Sequence, residues 1–183
     1  MGVDSRAFKL IIFDLDGTLR HYEDGELLPG VVDFFEQRLG DEQEVAICTN
    51  QGGVGLRYWM ELGGFGKPED YPDEQTIIRE LAGVVEELPT AHDVSLYYCF
   101  AYQSKKSGKW APIPPGEEMR PEWNPDNRKP APGMLLRAMN DHNAAPFETL
   151  FVGDSDEDFQ AAMQAGVTFE WAKDFFGWDV LPF

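Results

Sequence analysis

The apolar run Ile11-Ile12-Phe13 ends in Asp14-Leu15-Asp16-Gly17-Thr18, which sets two carboxylates one residue apart at the end of a segment with the make-up of a buried strand. Side chains alternate between the faces of an extended strand, so Asp14 and Asp16 project to the same side. Like charges this close raise the pKa of one partner unless a cation stands between them, and a hard divalent ion with oxygen ligands is the simplest remedy. The pair suggests a magnesium (Mg2+) site with one ionised and one proton-carrying carboxylate. The same residues also read as an ordinary strand end closed by an Asp-Gly turn.

Residues 8–13, 45–48, 94–100 and 149–152 are short apolar runs of the kind that form buried parallel strands, and 167–169 offers a last one. Between them lie helical patterns at 29–39, 74–88, 131–141 and 156–165, with proline near the start of the first and Gly40 and Gly166 as stops. This alternation predicts an α/β fold, a three-layer sandwich around a mostly parallel, Rossmann-like sheet. The 183 residues suffice for one well-cored domain, expected to span 1–183. Two stretches are irregular. Residues 20–28 have room for a small hairpin flap but no inserted domain, whereas 101–128 is long, proline-rich and carries Trp110 and Trp123. It reads either as a substrate-facing insertion or as a floppy one. Its tryptophans can stack on a ring or pin the loop to the body, and pinning is the favoured expectation.

Composition narrows the function. With 15 Lys+Arg against 33 Asp+Glu the formal charge is -18, which repels phosphate backbones and anionic membrane surfaces, so no general nucleic-acid binding and no membrane partner are expected. A metal and a few placed cations can still reverse the field inside one pocket, which leaves a small anionic substrate open. Cys48 and Cys99 sit in apolar stretches and read as small buried hydrophobes. No apolar run reaches the ~20 residues needed to span a bilayer, and the N-terminus lacks a signal-peptide layout, so a cytoplasmic monomer is expected.

The residues with chemistry fall after the strands, where ligands gather in sheets of this type. Thr49-Asn50-Gln51-Gly52-Gly53 offers a hydroxyl, an amide and glycine-flanked N–H groups suited to phosphate oxygens. Gly153-Asp154-Ser155-Asp156-Glu157-Asp158 is an acidic turn opening a helix, where capping accounts for Ser155 or Asp156 but not for four acids in five positions. Arg128-Lys129 places two cations before a proline-marked helix start, suited to an anion or to an ion pair. Arg57 is a further candidate for substrate phosphate, or a side chain whose stem covers a helix surface.

Taken in order, Asp14-x-Asp16-Gly17-Thr18, Thr49-Asn50, Lys129 and Gly153-Asp154 with Asp158 resemble the four motifs of the haloacid dehalogenase (HAD) superfamily, over nearly the whole chain. The segments around Thr49, Arg128-Lys129-Pro130-x-Pro132-Gly133-Met134 and Val152-Gly153-Asp154-Ser155 are similar to its histidinol-phosphate and heptose-bisphosphate phosphatase branch. That branch usually carries a zinc loop rich in Cys and His before the basic motif; here only Cys99 lies near that place, so zinc cannot be assembled there. The resemblance implies a capless HAD fold and a Mg2+-dependent phosphatase acting on a small phosphorylated metabolite through an aspartyl-phosphate. It makes Asp14 the nucleophile and metal ligand, and Asp16 the general acid and base that gives its backbone carbonyl to the metal. Asp154 becomes the remaining metal ligand. Thr49 and Lys129 hold the transferring oxygens, Asn50, Arg57 and Arg128 bind substrate, and Asp158 orients ligands or pairs with Lys129. The rival enzyme is a polynucleotide 3′-phosphatase, which shares part of the pattern but needs a basic track that the sequence does not display. A phospho-accepting receiver domain ranks lower, because the third strand ends in Cys99-Phe100-Ala101 without an acid.

Overall fold

The computed structural model describes residues 3–180 and Pro182. Five parallel strands, β1 (Leu10–Phe13), β2 (Glu44–Asn50), β3 (Val94–Cys99), β4 (Thr149–Gly153) and β5 (Thr168–Trp171), form one sheet in the order β3-β2-β1-β4-β5. The central strand β1 is buried on both faces, which is why it reads as an unbroken apolar run rather than an alternating one. Its residues nonetheless divide by face. Ile11 and Phe13 join Val45, Ile47 and Leu81 in one core layer, while Leu10 and Ile12 join Ala46, Met134, Ala138 and Ala162 in the other.

Among the described residues six helices cover these faces: α1 (Val31–Asp33), which runs on into the π-turn Phe34–Arg38, then α2 (Gly53–Gly63), α3 (Glu74–Glu87), α4 (Gly133–Asp141), α5 (Asp156–Ala165) and α6 (Ala172–Phe176). The helix expected at 29–39 is therefore shorter and differently wound. Its widened turn, closed by Leu39 N–H donating to Phe34 O at 2.9 Å, brings both Phe34 and Phe35 into the ring cluster around Phe13 and Phe175. Helix α5 keeps the expected bounds, with Gly166 in the left-handed conformation that ends it. Two helices escape the sequence pattern. Helix α2 starts at Gly53, ends at Gly63 and holds Gly55 inside, where glycine is unfavourable; a β-carbon at Gly55 would stand 2.3 Å from Phe100 O, so close packing against the end of β3 is what its glycine permits. Helix α6 is too short to show a period. Its Phe175 closes the core from the chain's end; Leu181 and Phe183 of the hydrophobic tail lie outside the described residues.

The link at 20–28 folds back as a hairpin flap, with Arg20 bridging Leu27 and His21 N–H donating to Glu26 O at 2.8 Å. The insertion at 101–128 has local structure of its own. It forms a small hairpin joined at Gln103 and Trp110, followed by tight turns at Pro121–Trp123 and Pro125–Asn127. Trp123 is 3 % exposed and packs on Phe100 and Tyr58, as pinning requires; Trp110 is 41 % exposed, against the expectation for both.

Candidate active site

Strand order reverses direction between β1 and β4, and the crevice outside their carboxyl ends is the ligand position for such sheets. Asp14 follows β1 and Asp154 follows β4, so two residues distant in sequence meet across this crevice. Both line a cavity of about 490 Å³ together with Asp16, Tyr22, Thr49 and Lys129. Asp14 is tied to the sheet by its N–H donating to Val152 O at 2.9 Å. Gly17, with φ +84°, turns the chain away; a β-carbon there would stand 2.4 Å from Asp154 Oδ2, so only glycine lets the two strand ends close up.

Lys129 is buried at the centre. Its ammonium lies 2.5 Å from Asp14 Oδ1 and 2.6 Å from Asp158 Oδ1. The other Asp158 oxygen accepts from the N–H of Ser155 at 3.1 Å and from its hydroxyl at 2.6 Å, completing the capping box that starts α5. Asn50 fixes the lysine backbone from the β2 side: its amide donates to Lys129 O at 2.9 Å and its oxygen accepts from Lys129 N–H at 3.0 Å. Asp16 is held by Arg20 Nε at 2.6 Å and Gln51 Nε2 at 3.2 Å, and Gln51 also donates to the Thr49 hydroxyl at 2.9 Å. The Tyr22 hydroxyl reaches over from the flap and donates to Asp154 Oδ2 at 2.5 Å.

Burial holds the Asp14 carboxyl well above the ordinary carboxylate range; Lys129 pulls it down, while Asp158 and Asp154 add to the rise. Asp154 is raised too, first by burial and then by Asp158, with the Tyr22 hydroxyl opposing. Burial disfavours charge on Lys129, but Asp14 and Asp158 outweigh it and keep the ammonium protonated beyond the ordinary lysine value. Oxygens of Asp14, Asp154 and Asp158 lie within 4.8 Å of one another. Three carboxylates against the one ammonium of Lys129 leave two formal negative charges, the charge that one divalent cation supplies. An all-oxygen donor set of this kind fits a hard ion such as Mg2+ rather than zinc. Because Lys129 and Ser155 already engage both oxygens of Asp158, its arrangement is that of an orienting group, and Asp14 and Asp154 retain oxygens for a metal.

The structure thus brings Asp14, Asp16, Thr49, Asn50, Lys129, Asp154 and Asp158 around one cavity. It does not bring Arg57 there: that guanidinium is engaged by Glu61 at 2.9 Å and Tyr71 O at 2.8 Å on the outer side of α2. Arg128 faces a neighbouring cavity, and the Asn50 amide, expected to meet substrate, is bonded to the Lys129 backbone. Tyr22, Arg20 and Gln51 were not singled out by sequence. Gln51 lies inside the Thr49–Gly53 motif, whereas nothing in the flap's local pattern marks Tyr22.

A family model described as HAD-hydrolase-like matches residues 127–171. The D-glycero-beta-D-manno-heptose-1,7-bisphosphate 7-phosphatase of Haemophilus ducreyi is 30 % identical over 166 residues, covering 87 % of this chain and 79 % of the relative. The Pseudomonas putida protein of the same name is 30 % identical over 167 residues, covering 86 % and 78 %. Among solved structures, the D,D-heptose 1,7-bisphosphate phosphatase of B. bronchiseptica, complexed with magnesium and phosphate, superposes with a TM-score of 0.55 at 23 % identity, covering 88 % of this chain and 79 % of that one, a likeness of fold. The chain belongs to the haloacid dehalogenase superfamily of hydrolases, with heptose-bisphosphate phosphatases as its relatives. It is accordingly a phosphatase, a hydrolase of phosphate monoesters.

Proposed function

We propose that this chain is a Mg2+-dependent phosphatase of a small phosphorylated metabolite and works through an aspartyl-phosphate on Asp14. The observation that carries the reading is the buried Asp14–Lys129–Asp158 ion group beside Asp154 at the end of the central strands. An Asp14 oxygen attacks phosphorus in line; the phosphorus bond to the ester oxygen breaks, and Asp16 passes a proton to that oxygen. Water then attacks phosphorus, Asp16 takes its proton, and inorganic phosphate leaves with Asp14 regenerated. Lys129 and the Thr49 hydroxyl offset charge on the transferring oxygens, and neither has to titrate. Asp14, Asp154 and the Asp16 carbonyl would hold Mg2+, which when bound offsets the repulsion between phosphate and carboxylates.

Because the flap is only a short hairpin, the cavity mouth is open to the leaving group, and the names of the relatives make a sugar bisphosphate the first substrate to try. The test is phosphate release from p-nitrophenyl phosphate and a panel of sugar phosphates, with magnesium and with chelator. Turnover is expected with magnesium alone and is expected to vanish in Asp14→Asn; a wild-type rate in Asp14→Asn overturns the nucleophile.

A further inference from the structure

Glu44, Ser95 and His142 meet at the amino ends of the strands, the end of the sheet opposite to the catalytic crevice. Glu44 opens β2, and Ser95 is the second residue of β3, paired in register with Ala46. Alternation along each strand sends both side chains to the face that also takes Ala46, Tyr97 and Cys99. Helix α4 packs on that face and ends at His142, whose ring enters between the two strands. Its Nδ1 contacts Glu44 Oε2, and its Nε2 lies 3.0 Å from Ser95 Oγ. The backbone behind the ring is anchored, because Lys9 Nζ donates to His142 O and to Asn143 O, both at 2.9 Å. A carboxylate can only accept, so in the neutral imidazole the proton belongs on Nδ1, which leaves the Nε2 lone pair to accept from the Ser95 hydroxyl. Either bond alone would tie the end of α4 to the sheet. Both together make a nucleophile, a base and an orienting acid in the order of a hydrolytic triad.

We propose that Ser95 and His142, positioned by Glu44, form a second, metal-independent hydrolytic site that cleaves carboxylic esters of cationic alcohols. The three line a cavity of about 380 Å³ whose wall also carries Asp41, Glu42 and Asp93. These acids, on a chain of formal charge -18, draw a positively charged substrate and repel an anionic one. An ester, whose alkoxide leaves more readily than an amide nitrogen, asks least of a nucleophile and base. Ser95 Oγ bonds to the acyl carbon, its proton passes to His142 Nε2 and on to the departing alkoxide, and the bond from carbon to the alcohol oxygen breaks. Water then attacks the acyl-serine, His142 takes its proton and returns one to Ser95 Oγ, and the carboxylic acid leaves.

The test uses the full chain in chelator, which silences a magnesium-dependent reaction and leaves this one running. Acid release from acetylcholine and from its uncharged isostere 3,3-dimethylbutyl acetate is followed at constant pH. The charged ester is expected to show a kcat/KM roughly threefold higher. Ser95→Ala is expected to lower release by roughly 100-fold or more while keeping its Tm and its turnover of p-nitrophenyl phosphate in magnesium. Glu44→Gln is expected to lower kcat with KM little changed, and Glu44→Asp to restore part of the loss, a split that a merely structural tie does not give. In a second measurement the wild-type chain is treated with diisopropyl fluorophosphate, whose phosphorus takes the serine oxygen as fluoride leaves, and the adduct is mapped by mass spectrometry to Ser95. Wild-type release no faster than buffer, release undiminished in Ser95→Ala, or an adduct on another residue overturns the site; preference for the uncharged ester overturns its substrate class.

Discussion

Lys129 is a buried lysine whose ammonium touches two carboxylates, and its removal strands both. Lys129→Ala is expected to lower kcat by about 2.7–4 kcal/mol of barrier, as for other donors to transition-state charge. Steady-state kinetics read this, with a melting curve beside them, because the unpaired acids also destabilise the fold. Tyr22 acts differently. By occupying Asp154 Oδ2 it orients the carboxylate, so Tyr22→Phe is expected to weaken Mn2+ affinity about tenfold, measured by electron paramagnetic resonance. At this scale the acids and the lysine were legible because each sits in a short motif, Asp14 and Asp154 at strand ends, Asp158 in the first turn of α5 and Lys129 just before α4. Tyr22 and the Asn50 clamp were not, since their partners are 132 and 79 residues away and only the folded chain supplies them.

Elements were legible where period and punctuation agreed. Helix α5 has Ser155 before it, Gly166 after it and a buried alanine stripe between, and sequence and structure give the same bounds. Helix α2 was hidden by its glycines, of which Gly55 serves packing against Phe100 rather than helix formation. The π-turn after α1 was hidden because i→i+5 winding answers to an aromatic cluster assembled from both ends of the chain. Ser155→Ala removes the cap of α5 and one bond to Asp158. A loss of about 1 kcal/mol in chemical denaturation is expected, together with reduced turnover as Asp158 loosens from Lys129.

The molecule as a whole carries a formal charge of -18, yet its site gathers acids in one buried crevice, so cation binding and folding are linked. Magnesium at ~100 times its Kd is expected to add about 2.7 kcal/mol to stability, read as a rise in Tm that chelator removes. A second acid responds to pH without metal. Glu170 has its carboxyl raised, first by burial, although Val3 N–H donates to it at 2.9 Å. The folded chain holds this proton more tightly than the unfolded one, so stability falls as pH rises from the unfolded carboxyl value through the higher folded one. Glu170→Gln is expected to raise Tm at neutral pH and to lose that advantage as the solution is acidified through the same window. The mostly parallel sheet with its chemistry at the strand ends followed from alternating apolar runs, whereas the order of the strands came only with the fold and the course of 101–128 depended on which tryptophan the core accepted. Asp158 serves the helix and the lysine with one carboxylate. A descendant that preserves the opening turn of α5 for its architecture therefore inherits the counterion as well, and erosion of activity in this scaffold begins elsewhere, at Asp14 or Asp16, on which no helix depends.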